Sequence, residues 1–502
     1  MSIRSNCLNV VALLAVSLVT CVGWAAEVGT DQDISKWVQD ALRHDLRTIA
    51  TEITVSTTKG IVTLSGKVPN VASQKYADQE AKKIAGVVGV INEIEVAPQH
   101  RLDLDINLDV RHRILNNATI HTQAIRVECV DGVVTLSGKV DTYAEELEAE
   151  LLASEVTGVR KVHNNLLTTY ETARSDEEIK SDVEAAVKRD VYLSGLPISV
   201  AVKVGVVTLT GSVATAYEKD RAAEEVYRLT NVQTVENNLQ IDPALHQHER
   251  QPMIWPNEEE LQKAIKTELS EDGRINASHI SIEVEYGHAT LKGTVATQRE
   301  SRLAEQDVRD VVGVGWVTNN LEVKADTRDD VAIDVGVDFE LGVDQLLQVL
   351  DIKPAVKAGI VTLTGTVHTL YEKTHAAEVV ARVKGVRGVV NKLVMDGDTN
   401  QSNTVLEKMV RDRLLQNAIT SPAVFRLQVK VNNGIAMLIG RVDTWAQRAE
   451  AERVTLGTEG IWRIDNRLQV NGYDYPWDQW QYQGDFHFDP LYTPQHYFDY
   501  GP

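Results

Sequence analysis

The stretch Gly132-Val-Val-Thr-Leu-Ser-Gly-Lys-Val140 decides the fold. Val134, Leu136 and Val140 alternate with polar residues at period two, the mark of a strand with one buried face. Ahead of Gly132, Ile125, Val127 and Cys129 alternate in the same way. Two such runs around a Gly read as a β-hairpin, with the Gly supplying positive φ at the turn. Gly138, inside the second run, marks a bulge or the close approach of another element.

The stretch recurs as GIVTLSGKV at Gly60, GVVTLTGSV at Gly205, GHATLKGTV at Gly287, GIVTLTGTV at Gly359 and GIAMLIGRV at Gly434. The six starts are 72, 73, 82, 72 and 75 residues apart, too long for a solenoid repeat and suited to an array of small domains. After each hairpin comes a helix start: Thr142-x-x-Glu145, Thr215-x-x-Glu218, Thr297-x-x-Glu300, Thr369-x-x-Glu372 and Thr444-x-x-Gln447, with Asn70 and Ser73 in the first copy. Thr there accepts from an orphan backbone N–H and the acid reaches back, a capping box worth about 1 kcal/mol. Each helix carries Ala at one equivalent place (Ala77, Ala149, Ala222, Ala304, Ala376, Ala451), which is expected to let it pack close to the sheet over the strand Gly. Each copy closes with a short strand of the pattern Gly158-Val-x-x-Val-x-Asn164-x-Leu166, and strand–helix–strand order predicts a parallel pairing.

A helix also precedes most hairpins, as Ile179, Val183, Ala186 and Val187 indicate. In the fifth copy Val331, Ile333, Val335, Val337, Phe339 and Leu341 alternate, and Gly336 and Gly342 interrupt, so helix and strand compete there. The fold class is therefore α+β: a tandem array of six small α-β-β-α-β domains with small mixed three-stranded sheets. The units span 31–98, 101–170, 175–243, 257–324, 328–396 and 402–472. Domains this small bury only about 60% of their unfolded surface, so neighbouring copies are expected to pack together, in pairs.

Residues 1–26 read as a secretory signal peptide: Arg4, an apolar run over Val10–Val19, then Gly23-Trp24-Ala25-Ala26. Cys21 loosely resembles a lipoprotein site, but Thr20 stands where a smaller residue is expected. Export to the periplasm follows, with association with the envelope membranes open. Cys129 alone would remain of the three cysteines, so no internal disulfide is expected. The chain has 51 basic and 72 acidic residues, a formal net charge of −21, which disfavours nucleic acid and anionic lipid as general partners.

These features together resemble the BON domain family (bacterial OsmY and nodulation). The residues that carry the likeness are the G-[IV]-V-T-L-[ST]-G hairpin, the Thr-x-x-Glu helix start and the closing G-V-x-x-V-x-N-x-L. The resemblance implies an α-β-β-α-β fold, export into a Gram-negative envelope, a link to osmotic shock protection, and contact with phospholipid or other proteins. The motif holds no catalytic residues, so none is carried over.

Few residues carry candidate chemistry. Cys129 aligns with Val202, Val284, Val356 and Val431 and reads as a small core residue. His246 and His248 make two of a metal's ligands without a third. The paired acids Glu145-Glu146 and Glu224-Glu225 read as capping or surface groups. No catalytic, cofactor or metal site is assigned. The best basic clusters for a lipid surface are Arg111 with Arg113, and Lys408 with Arg411 and Arg413, both interleaved with acids. The tail 473–502 is different: six Tyr, two Trp, three Phe and five Asp, with no Lys or Arg. Trp477 and Trp480 are its natural anchors for a partner. The expected function is non-enzymatic: an envelope protein that binds or shields protein or phospholipid in osmotic or envelope stress. An envelope enzyme or hydrolase of unrecognised type is the alternative. Ligand and oligomeric state are left open.

Overall fold

The computed structural model describes residues 29–48, 52–120, 124–168, 174–242, 245, 256–324, 328–395 and 401–470. Unit two shows the plan. A helix (Asp103–Asn116) leads to a hairpin of Arg126–Val130 and Val133–Val140, then a second helix (Tyr143–Ser154) and a last strand (Lys161–Thr168). The strand after the turn lies in the middle of the sheet. It pairs antiparallel with the first (Cys129 opposite Val134) and parallel with the last (Val134 opposite Val162). Val134, Leu136 and Ala149 are fully buried between that sheet and the two helices. The other five units repeat the order, and in units three and five the last strand is broken into two short pieces.

The hairpin turn is held from outside. Asp131 and Gly132 both have positive φ, +49° and +72°, as a tight two-residue turn requires. That leaves two adjacent backbone N–H groups pointing the same way. Asp103, the first residue of the first helix, accepts both, at 2.9 Å each. Asp31, Asp176 and Asp330 do the same in units one, three and five. The closing-strand Asn has a similar tie: Asn164 donates to the carbonyl of Glu146 in the second helix and accepts from Leu166.

Two expectations change. The strand Gly is not crowded by the helix Ala. A Cβ at Gly138 would lie 2.2 Å from the carbonyl oxygen of Ala124, so the entry to the hairpin's own first strand makes the close approach. In unit five the ambiguous segment is a helix, Asp330–Val343, capped by Asp329. Ile333, Gly336, Val337, Glu340 and Leu341 are buried at helical spacing, and Gly336 lies where any Cβ would meet Val383. The glycine serves close packing, which outweighs its low helix propensity.

The pairing of units also differs from the chain order. Unit one pairs with six, two with five, and three with four. In each pair the residue after a first helix meets a residue one or two past the end of a second helix: Asn417 with Ile84, Asn117 with Val383, and Asp190 with Val311. Two backbone hydrogen bonds close each meeting, such as Ala85 N–H to Gln416 C=O at 2.8 Å and Ala418 N–H to Lys83 C=O at 2.7 Å. Between units three and four the reciprocal meeting, Leu229 with Asp272, is also made.

A second set of contacts runs within each half of the chain. Val71, at the start of unit one's second helix, enters the core of unit two. Tyr143 of unit two packs on Tyr227 of unit three, ring centroids 4.9 Å apart and tilted by 31°. Ala216 of unit three enters the core of unit one. The same helix position thus links one to two, two to three and three back to one, a closed head-to-tail cycle. In the other half Leu370 of unit five enters the core of unit six, and Trp445 of unit six packs on Trp316 of unit four at 5.2 Å. Two layers of three units, joined by three pairs, make one closed body.

Candidate functional site

Where the units meet, charged side chains are buried beside the apolar ones. One position organises this: the residue directly after each first helix, which is Asp45, Asn117, Asp190, Asp272, Asp344 and Asn417. Its oxygen caps the following turn, as Asn417 Oδ1 accepts from Ile419 and Thr420. Its other atom turns toward the interface. Asn417 donates to Glu450 at 2.6 Å, and Asp190 accepts from Arg221 at 2.7 and 2.9 Å. The recurrence is legible in the sequence, at 72 or 73 residues in every step but one.

Units three and four share the densest network. Arg221 holds Asp190, Glu225 (2.6 Å) and Asp310 (2.8 Å). Arg228 and Arg274 both reach Asp307, at 3.3 and 3.0 Å. Burial pushes the Asp190 carboxyl up to about 7 against the pull of Arg221, and burial with nearby Glu225 pushes Glu268 up to about 7. Asp307 is raised well above the carboxylate range by burial and by Asp272, with which it shares a hydrogen bond. Glu225 therefore is not a surface or first-turn group. It lies late in its helix, buried, between Arg221 and Arg228. Glu145 does cap, accepting from the Asp141 N–H at 2.9 Å.

A cavity of about 230 Å³ opens between units one, three, four and six. Lys82, Arg221 and Arg453 on its wall are each tied to an acid on that wall: Asp220 at 2.7 Å, Asp310 at 2.8 Å and Glu450 at 2.8 Å. Its charges serve the seam between units.

The basic clusters are divided by the fold. Arg111 is exposed, while Arg113, two residues on, is 2% exposed and bonded to Glu155 at 2.8 Å and to Glu340 of unit five at 3.2 Å. Lys408 and Arg411 are exposed, with Lys408 paired to Asp412. Arg413 points inward to Thr458 at 2.9 Å, and burial beside Arg453 lowers its pKa to about 10. Each cluster thus splits between the surface and a seam, because residues two apart on a helix do not share a face. Trp477, Trp480, His246, His248 and residues 1–26 lie outside the described residues.

Cys129 is half-buried against the core of unit two, and burial followed by Asp103 pushes its thiol up to about 11, away from nucleophilic use. His375 is spent on Asp344 at 2.8 Å. Among the described residues no three His, Cys, Asp or Glu side chains are grouped to hold a metal, and no helix is long and apolar enough to cross a membrane.

Six α-β-β-α-β units with this hairpin, cap and closing strand define the BON domain class, and the chain belongs to that family. The BON domain matches residues 30–98, 103–169, 175–243, 257–325, 329–397 and 402–472. The chain is similar to Osmotically-inducible protein Y of Escherichia coli (strain K12), with 32% identity over 145 residues, 28% of this chain and 72% of that protein. Among solved structures it is similar to CdsD, a structural protein of the type III secretion system of Chlamydia trachomatis, at 16% identity and TM-score 0.13, covering 46% of this chain and 97% of that one. It is also similar to the PrgH periplasmic domain, at 14% identity and TM-score 0.13, covering 41% and 98%. At those TM-scores the likeness says nothing about function.

Proposed function

We propose that this protein is a non-enzymatic component of the bacterial envelope, exported to the periplasm, that binds or shields other envelope components under osmotic stress. The reading is supported by the family, by the osmotically inducible relative and by the export-type N-terminus. The observation that carries the non-enzymatic part is where the reactive side chains go. The buried acids and arginines are used in seams between units, His375 is paired with Asp344 inside unit five, and the recurring residues are caps, turns and core.

Protein is favoured over anionic phospholipid as the partner. A lipid-binding surface needs several cations on one exposed face, each worth about 1 kcal/mol near the membrane. Arg113 and Arg413 are turned into seams, and the exposed remainder is interleaved with acids. Sedimentation of the mature protein with phosphatidylglycerol vesicles at 20 mM and 300 mM salt tests this. The expected result is protein in the supernatant at both. Salt-sensitive pelleting, lost in Arg111→Glu or Arg411→Glu, would restore lipid as the partner. Retention of envelope proteins on the immobilised chain after osmotic upshift, absent before it, is the matching positive result.

A further inference from the structure

The outward faces of the six sheets are not alike. On the central strand, units one, two, three and five place Thr63 and Ser65, Thr135 and Ser137, Thr208 and Thr210, and Thr362 and Thr364 outward, and unit four places Thr290 and Lys292. Unit six has Met437 and Ile439 there, in line with Ile435. The alternate residues Ala436 and Leu438 point to the helices and are fully buried, so the three apolar side chains stand on the opposite face. They are half-buried, and cations rim them. Lys430 lies opposite Met437 on the first strand (Leu427–Asn432). Arg463 and Arg467 lie opposite Ile435 and Ile439 on the last (Arg463–Val470), and Arg441 continues the row. Among the described residues of this face, Asp465, bonded to Arg467 at 2.7 Å, stands as an acid beside these four cations. In a chain of net charge −21 that is a local reversal of sign.

We propose that this face is the docking site of the chain's own last segment, Tyr473–Pro502. The segment is its chemical complement: eleven aromatic residues for the apolar row, and five Asp with no Lys or Arg for the cationic rim. It also starts in the right place. The last strand of this sheet ends at Val470, beside Val442, at the Arg441 end of the row. Trp477 and Trp480 stand seven and ten residues beyond Val470, reaches of up to about 23 and 33 Å, and Ile435, at the far end of the row, lies about 23 Å from Val442. Trp477 and Trp480 can therefore reach any point on the row. A tethered segment is present at an effective concentration on the order of millimolar, which favours it over a second copy of the chain.

Met437 gives the test. The mature full chain is treated with dilute peroxide, and sulfoxide at each Met is followed by peptide mass spectrometry. A face covered nine-tenths of the time reacts about tenfold more slowly than an open one, so W477A/W480A should oxidise at Met437 about tenfold faster than the parent. Met395 and Met409, which pack against the sixth core from within, should keep their rates. The reverse variant, M437T/I439T, gives unit six the hydroxyl residues of its siblings. It should speed chymotryptic cutting at the tail tyrosines while the melting of the body is unchanged. Equal Met437 rates in the parent and W477A/W480A overturn the proposal. So does protection that fades on dilution, which would assign the face to a second copy. If M437T/I439T fails to fold, the tryptophan variant decides alone, because it leaves every described residue as it is.

Discussion

The seam between units one and six and the seam between units three and four have the same backbone meeting and opposite electrostatics. In the first, Glu80 is surrounded by Arg47 at 3.1 Å, Lys83 at 2.8 Å and Arg453 at 3.3 Å. Burial alone would raise its carboxyl, but the three cations outweigh burial and hold it far below the carboxylate range. In the second, Asp190, Glu225, Glu268, Glu271, Asp272, Asp307 and Asp310 are ion-paired, among the described residues, with the four cations Arg189, Arg221, Arg228 and Arg274. Acids outnumber bases, and burial raises the carboxyls of Asp190, Glu268, Glu271, Asp307 and Asp310, so that they take up protons more readily than free carboxylates do. One geometry thus gives two seams, one with a carboxyl held down by its cations and the other with carboxyls raised by burial.

The largest expected effect breaks the acid-rich seam. Arg221→Met leaves three buried acids without their shared cation and should cost about 3–5 kcal/mol. Native-state hydrogen exchange at the Val191 and Val312 amides, which close this seam, reads it locally. The loss should be larger at pH 8 than at pH 5, where the acids can take protons. Equal losses at both pH values would contradict the protonation reading. Next comes Glu80→Gln, which strips the common partner from three cations. About 1–3 kcal/mol should be lost at the Ala85 and Ala418 amides, with little pH dependence above the carboxylate range.

The parent protein should show the contrast by itself. For Asp190 and Glu268 the folded pKa, about 7, lies above the unfolded one, so the native state binds more protons between the two. The three–four seam therefore gains stability as pH falls from about 7 toward about 4 and loses it as pH rises through that window. Glu80 is depressed, so its contribution is complete above its ordinary pKa of 4.5 and is lost as pH falls below it. Exchange at Val191 and at Ala85, each corrected for intrinsic rate, should accordingly change in opposite directions on acidification. A smaller change tests the cause. Asp190→Asn copies the amide that Asn417 places at the same position of unit six. It should cost within about 1 kcal/mol at pH 8 and flatten the pH dependence at Val191. The smallest is Cys129→Val, in unit two and away from both seams, which should shift neither by more than about 0.5 kcal/mol. Gly132→Val at the neighbouring turn should cost unit two about 1–3 kcal/mol by comparison, since its φ is +72° and a Cβ would lie 2.8 Å from the carbonyl of Gly158.

Within a unit, most of the structure is legible in the chain. The Gly132 turn, the Thr142 cap and the parallel return of Lys161–Thr168 all follow from residues a few positions apart, because backbone sterics and capping act locally. What escaped the reading had a local signal that pointed two ways. Gly336 looks like a helix breaker until Val383 is seen beside it, and Glu225 looks like a solvated acid until Arg228 and Arg221 enclose it. The split of Arg111 from Arg113 is of the same kind: the helical period was readable, but which face met unit five was not.

The sequence by itself determined the unit, its six copies and the hairpin face that each one buries, since those depend on periodicity, turn chemistry and caps inside about 70 residues. Only the tertiary structure decided that unit one meets six and two meets five. Six nearly equivalent units offer nearly equivalent surfaces. The choice among them rests on a few buried pairs such as Arg453 with Glu80, 373 residues apart, and Arg113 with Glu340, 227 apart. No local pattern encodes such a pair, because each half looks like an ordinary surface charge until the opposite half of the chain closes over it.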